Sequence, residues 1–161
     1  MMRLLSSFAV AALLFTACSG TKTAAADAPD TMTVDPMVQL ARNYQLVQLN
    51  GVNLKSRDFD KGLPTIMIDP TAGTVTGMGG CNTFNTTAMM PSNEGRKKKD
   101  MVPTNRITFG TVASTKMACP NMTTETSYLQ LLDSKEWTYQ LQGDKLVMED
   151  TNGATLVFRA N

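Results

Sequence analysis

The chain has 161 residues, of which 42% are hydrophobic and 18% charged, a composition typical of one globular domain with a core. It contains no histidine, which excludes Cys–His and Ser–His–Asp catalysis, HExxH zinc sites and proton transfer by imidazole. There are 15 Lys and Arg residues and 14 Asp and Glu residues. Because the two charges nearly cancel, the protein has no general field that would attract nucleic acid, and we expect no nucleic-acid partner.

The amino terminus has the pattern of a secretory signal. Residues 1–17 combine the basic Arg3, an apolar stretch and a final small-residue step before Cys18, and they are too short for a transmembrane helix. A cysteine after small residues resembles a bacterial lipobox, so we expect cleavage before Cys18 and acylation of that residue. Acyl chains on Cys18 would anchor the protein in a membrane of the cell envelope, for which we expect the outer membrane. The alternative is a secreted protein whose Cys18 is free or paired.

The signal is followed by a segment that is poor in bulky apolar residues. Residues 18–42 are rich in Thr, Ala, Asp and Pro, a composition that buries too little surface to offset the entropy of ordering. We therefore predict a lipidated amino terminus and flexible tether at 18–42, and a folded domain at 43–161.

The domain is predicted to be mostly β. Alternating apolar residues and turn signals predict strands at Tyr44–Leu49, Thr65–Asp69, Thr74–Met78, Thr83–Met89, Arg106–Phe109, Trp137–Gln142, Lys145–Asp150 and Ala154–Ala160. One helix is predicted after an N-cap at Thr123 or Thr124, with its apolar stripe beginning at Tyr128. Many short strands with one helix indicate an α+β fold, mostly β. We expect a curved antiparallel sheet, or an open (cracked) barrel, with the helix packed against it.

Two motifs follow each other in the domain. The segment GMGGCNTFN at residues 77–85 and the segment ASTKMACP at residues 113–120 resemble the paired signatures of the META/HslJ-like domain family. The matching residues are Gly79, Gly80, Cys81, Asn82 and Phe84 in the first segment and Thr115, Met117, Ala118, Cys119 and Pro120 in the second. The opening YQLVQLNG and the closing KLVMEDTNGATLVF also match, so the resemblance extends over residues 43–161.

The resemblance carries expectations about structure and activity. It implies a small curved antiparallel sheet or cracked barrel with one helix, often on a lipoprotein. It implies no settled biochemical activity, although heat or envelope stress is associated with some members.

The three cysteines are an odd number for an exported protein. Acylation of Cys18 would leave Cys81 and Cys119 as an even pair in an oxidising compartment. We expect a disulfide between them, worth about 4 kcal/mol in the chain-entropy view, and two buried free thiols are the alternative. A catalytic or zinc-binding Cys81 would need histidine or further cysteine partners, which the chain lacks.

No catalytic residue, cofactor or metal site is therefore expected. The carboxylates Asp58, Asp60, Asp69 and Glu125 have no spacing that pairs two of them, and we expect surface charges. Twelve methionines are expected to fill irregular gaps in the core.

The expected function is that of a non-enzymatic, membrane-tethered lipoprotein of the bacterial cell envelope, acting as a monomeric binding or accessory module. Its partner would be an envelope protein or an apolar ligand. An inhibitor or chaperone-like partner of an exported enzyme is the second hypothesis, and a hydrolase that uses carboxylates alone is the third. The sequence leaves open whether the barrel interior is filled by side chains or holds a ligand.

Overall fold

The computed structural model of the chain describes residues 36–92, 95, 97, 100 and 105–161. The predicted signal peptide, the acylated Cys18 and the tether as far as residue 35 lie outside the described residues. No helix in the described part of the chain is both long and apolar enough to cross a membrane.

The elements of the domain follow one another closely. In chain order they are α1 (Pro36–Leu40), β1 (Asn43–Leu49), β2 (Val52–Asn53), a short 3-10 turn (Ser56–Asp58), β3 (Thr65–Asp69), β4 (Thr74–Met78), β5 (Thr83–Met89), β6 (Arg106–Phe109), β7 (Ala113–Ser114), α2 (Thr123–Leu132), β8 (Glu136–Gln142), β9 (Lys145–Asp150) and β10 (Thr155–Ala160). All the strands that the sequence predicts are present, with bounds that differ by one residue at most.

Eight of the strands form an antiparallel barrel in the order β1–β3–β4–β5–β6–β8–β9–β10. The predicted class, a mostly β antiparallel fold with a helix packed on it, is confirmed. The barrel is closed rather than open, because β1 pairs with β10 from Tyr44↔Ala160 to Leu49↔Leu156. A register shift between Leu46 and Gln48 marks a bulge in β1, which increases twist and curvature where the sheet closes.

Alternation along the strands directs one face of the sheet inward. In β5, Phe84 and Ala88 are buried while their neighbours are exposed, and in β8 the same holds for Trp137 and Tyr139. The largest fully buried side chains are Trp137, Tyr44, Tyr128, Phe109, Phe158, Leu40, Leu46, Ile66, Ile68, Ile107, Leu132 and Leu146. These side chains belong to one hydrophobic core, whose burial stabilises the domain.

Helix α2 packs against strands of the barrel. It buries Glu125, Tyr128 and Leu132, and the ring of Tyr128 makes edge contacts with Phe84 and Phe158 at centroid distances of 5.8 and 6.3 Å. The predicted threonine N-cap is wrong. Helix α2 begins at Thr123, and the preceding residue, a methionine, makes no side-chain capping bond.

Two further expectations meet a different outcome. Leu40, within the predicted tether, is fully buried, and the Tyr44 hydroxyl donates to the Gln39 carbonyl oxygen at 2.6 Å. Not all methionines fill the core: Met67, Met89 and Met117 are 45%, 64% and 43% exposed. The first two lie on outward positions of β3 and β5, where strand alternation directs them to solvent.

Candidate functional site

The two motifs meet beside helix α2. A disulfide joins Cys81 to Cys119, whose Cα atoms are 6.3 Å apart. The predicted disulfide is confirmed, and the alternative of two free thiols is wrong. The bond holds the segment after β7 against the loop between β4 and β5.

Asn82 is the centre of a buried hydrogen-bond network. Its Oδ1 accepts from the Thr115 hydroxyl at 2.9 Å and from the Met117 amide at 2.7 Å. Its Nδ2 donates to the Met117 carbonyl at 3.2 Å and to Glu125 Oε1 at 2.6 Å. One amide group thus uses both its acceptor positions and both its donors, and it connects three separate segments of the chain.

Glu125 completes the network from α2. Its Oε2 accepts from the main-chain amides of Cys81 at 2.5 Å and Asn82 at 2.9 Å, and the residue is only 2% exposed. The prediction of a surface charge at Glu125 is therefore wrong, whereas Asp58, Asp60 and Asp69 are exposed as predicted.

Sequence reasoning missed Glu125 although a signal was present. Glu125, Tyr128 and Leu132 stand at helical spacings of three and seven residues, which places them on one face of α2. Because the other two are apolar, that face is directed to the core, and a carboxylate on it needs buried donors.

The two motif glycines leave room for these contacts. A Cβ at Gly79 would lie 2.7 Å from Cγ of Glu125. Gly80 has φ +117°, a conformation that L side chains rarely adopt, and a Cβ there would overlap the ring of Phe59. The glycine run therefore serves the turn and the close approach of α2.

The remaining motif residues divide between core and surface. Phe84 is buried inside the barrel. Thr115, Met117, Ala118 and Pro120 are exposed, so their side chains are not needed to fill the core. We define the corner as Gly79–Asn82, Thr115–Cys119 and Glu125.

A groove of about 510 Å³ lies between the corner and helix α2. Its apolar surface comes from Val112, Met117, Met122 and Leu129. Ala118 and a set of polar residues complete the lining, the polar ones being Asn82, Ser114, Thr115, Lys116, Glu125, Thr126, Gln130 and Asp133. The volume lies in the range of small-molecule and peptide-side-chain pockets.

The polar groups at the base of this groove are already engaged with the protein. Glu125 accepts from three donors, and Asn82 has partners for its whole amide. Asp133 accepts from the Val112 amide at 2.8 Å. These side chains fix the shape of the groove, and its open surface is offered by methionine, leucine and exposed main chain.

Comparison with known proteins finds a family model and solved structures that are similar to this chain. A family model described as META domain matches residues 37–161. An NMR structure of a protein from Burkholderia xenovorans is similar with 20% identity and a TM-score of 0.54, over 85% of this chain and 99% of that one. A second NMR structure has 19% identity and a TM-score of 0.55, over 79% of this chain and 95% of its own. No curated protein matches the chain significantly. The structural likeness concerns the fold alone.

Proposed function

The chain belongs to the META domain family, and from that premise we propose that it is a non-enzymatic binding or accessory module of the bacterial cell envelope. In this proposal acyl chains on Cys18 hold it at a membrane, expected to be the outer membrane. The tether presents the domain to a partner, which binds in the groove between the corner and α2.

One observation carries the proposal: the groove exposes apolar side chains next to a main chain that hydrogen bonds and a disulfide hold in place. Met117 is 43% exposed, although its main-chain N–H and C=O both bond to the Asn82 side chain and Cys119, two residues further on, is held by the disulfide. These bonds fix the main chain that carries this exposed apolar side chain before any partner arrives, and a binding surface gains from such preorganisation. Methionine also adapts to varied apolar partners.

The non-enzymatic part of the proposal is supported by the chemistry of the side chains. The chain has no histidine, and the buried carboxylate of Glu125 is occupied by three donors of the protein. A general acid or base needs to reach a substrate proton, whereas both Glu125 oxygens accept hydrogen bonds from Cys81 and Asn82. Any link to heat or envelope stress depends on the sequence resemblance.

Site-specific photo-crosslinking in the native cell envelope tests the groove. A photoreactive residue at Met117 or Leu129 is expected to form adducts with a partner, because both side chains line the groove. Met67 provides a matched control, since it is 45% exposed but lies on β3, and no adduct is expected there. Adducts of equal yield at all three positions, or none at the groove positions, would overturn the proposal.

The mass of the adduct then separates the classes of partner. An envelope protein supports an accessory role, and an exported enzyme that loses or gains activity in the adduct supports the inhibitor or chaperone-like role. Adducts with lipid support an apolar ligand.

Membrane attachment has its own test. Wild-type protein is expected to incorporate labelled palmitate and to fractionate with membranes, and Cys18→Ser to do neither. Label that persists in the variant contradicts acylation at Cys18.

A further inference from the structure

We propose that the groove binds an extended peptide, which adds a strand to the free edge of β7. This inference rests on the proposed binding function and names the chemistry of the partner. It depends on main-chain geometry that is separate from the apolar lining.

The register of β7 shows which main-chain groups face β5. Ala113 pairs with Asn85, and the Thr115 amide donates to the Thr83 carbonyl at 3.0 Å. In an antiparallel ladder successive residues direct their N–H and C=O groups to opposite edges. The main-chain groups of Ser114 and Lys116 are therefore directed away from β5.

No other described strand pairs with this second edge of β7. The reason lies in how β8 begins. The pairing of β6 with β8 continues by two main-chain hydrogen bonds. The Phe109 amide donates to the Lys135 carbonyl at 2.8 Å, and the Ser134 amide donates to the Gly110 carbonyl at 3.0 Å. The preceding residues of the chain form helix α2 instead of a strand, so no described strand lies beside β7 on that side.

The edge that faces α2 is paired as far as Val112. The Val112 amide donates to Asp133 Oδ1 at 2.8 Å, and among the described residues it is the last main-chain group on this edge with a hydrogen-bond partner before β7. Beyond it, Ser114 and Lys116 are exposed and line the groove. The groove is thus the gap between a strand edge and a helix, at the place where the sheet would take one more strand.

The groups that line the gap specify an extended peptide as the occupant. Ser114 and Lys116 offer donor and acceptor pairs two residues apart, the spacing that an extended main chain matches. A lipid chain has no groups to pair with them, and a helix has its own main chain already bonded. The opposite wall, with Met122 and Leu129, provides an apolar surface for alternate side chains of the peptide.

The short length of β7 gives this edge selectivity. The two residues of β7 offer too few main-chain bonds to recruit a strand by themselves. Lys116, two residues beyond the strand, opposes pairing between copies. Binding therefore requires an apolar side chain that also enters the groove, which we expect to be large and unbranched or aromatic.

The test uses the full mature chain, with its lipid, in detergent micelles. A phage-displayed library of random ten-residue peptides is the probe, and the best binder is synthesised for hydrogen exchange at residue resolution. We expect the peptide to slow exchange of the Ser114 and Lys116 amides about tenfold or more. The Thr115 amide, already bonded to Thr83, is expected to change less.

Two further measurements separate strand addition from side-chain contact. N-methylation of alternate peptide amides is expected to abolish binding in one register and to leave it in the other, because only alternate amides face β7. Met117→Glu is expected to weaken binding about tenfold, and Met67→Glu, with its matched exposure, to leave it unchanged.

The outcomes distinguish this inference from the proposed function. A peptide that binds without protecting Ser114 and Lys116, or with no dependence on N-methylation, overturns strand addition while groove binding stands. Failure of every library peptide, together with crosslinks at Leu129, also overturns it and leaves the binding function intact. Absence of crosslinks at the groove, by contrast, removes the proposed function itself.

Discussion

The polar groups of the corner contrast with those of two aromatic side chains in the barrel interior. In the corner, Asn82 and Glu125 are 2% exposed, and all their side-chain oxygen and nitrogen atoms have protein partners. In the interior, the Tyr128 hydroxyl and Trp137 Nε1 are buried without a hydrogen-bond partner among the described residues. The interior is stabilised by apolar burial despite these atoms, whereas the corner is stabilised by polar pairing and a covalent bond. Removal of a polar group should therefore have opposite effects in the two regions.

The largest effect is expected from the disulfide of the corner. Cys81→Ala or Cys119→Ala releases a crosslink between residues 38 positions apart, and the chain-entropy relation gives a loss of about 4 kcal/mol in the free energy of unfolding. The double variant is expected to be scarcely less stable than either single one, because each removes the same bond. Urea denaturation of the three variants measures this.

Additive losses in that experiment would contradict a crosslink. Alkylation of the native, unreduced protein would contradict it as well. Either result would give the corner no covalent part, and the comparison with the interior would then depend on hydrogen bonds alone.

The second effect comes from the carboxylate of the corner. Glu125→Ala leaves three donors unpaired, two main-chain amides and Nδ2 of Asn82. A buried donor without a partner costs about 1–3 kcal/mol, and the lower end of that range for three donors gives an expected loss of about 3 kcal/mol by urea denaturation. Glu125→Gln should also destabilise, since its NH₂ group would face donors.

Glu136→Ala is the control for that prediction. Glu136 pairs with Arg106, but both side chains are exposed, Glu136 to 40% and Arg106 to 43%. A surface ion pair of this kind contributes less than about 1 kcal/mol. Equal losses for Glu125→Ala and Glu136→Ala would show that the buried network contributes no more than a surface contact.

The barrel strands were predictable because strand structure leaves a local mark. Alternation with a period of two is visible within any few residues, as in Trp137 and Tyr139 of β8. Closure was not predictable, because the β1–β10 pairing joins the two ends of the domain and depends on register rather than on local pattern. β7 was missed because its two residues are too few to show alternation.

The corner was predictable in part, because its motifs are local in the sequence but the partners of Glu125 are not. The motif resemblance indicated Cys81, Cys119 and Asn82 together. The role of Glu125 remained hidden because its donors lie 43 and 44 positions away along the chain. A carboxylate in the first turn of a helix is also common at the surface, where it stabilises the helix dipole, and so local reasoning favoured exposure.

The interior should respond to loss of a polar atom with the opposite sign. Burial raises the pKa of the Tyr128 hydroxyl far above its ordinary value, so the group stays neutral. Tyr128→Phe removes an unpartnered oxygen and keeps the ring contacts with Phe84 and Phe158. We expect a gain of up to about 1 kcal/mol, measured by urea denaturation. A loss above that size would show that the Tyr128 hydroxyl has a polar partner and would end the contrast with the corner.

The smallest effect concerns Asp150. This residue lies outside the corner, but like Glu125 it is a buried carboxylate that accepts from main-chain amides. Oδ1 of Asp150 accepts from the amides of Asn152 and Ala154, each at 2.8 Å, in the turn between β9 and β10. Burial alone would raise the pKa of Asp150, but these bonds, a bond from the Asn152 side chain and the charge of Lys135 together hold the pKa below its ordinary value.

The sign of the pH dependence follows from that lowered pKa. Because the folded state holds the carboxylate ionised, its contribution to stability is fully present above the unfolded-state pKa of about 3.9. The contribution is lost as the pH falls through the lower folded-state pKa. Urea midpoints of wild type and Asp150→Asn should therefore differ most at neutral pH and converge as the pH falls below about 4. A difference that stays constant down to the acid limit would mean that Asp150 acts through hydrogen-bond geometry alone, and that buried pairing of carboxylates is confined to the corner.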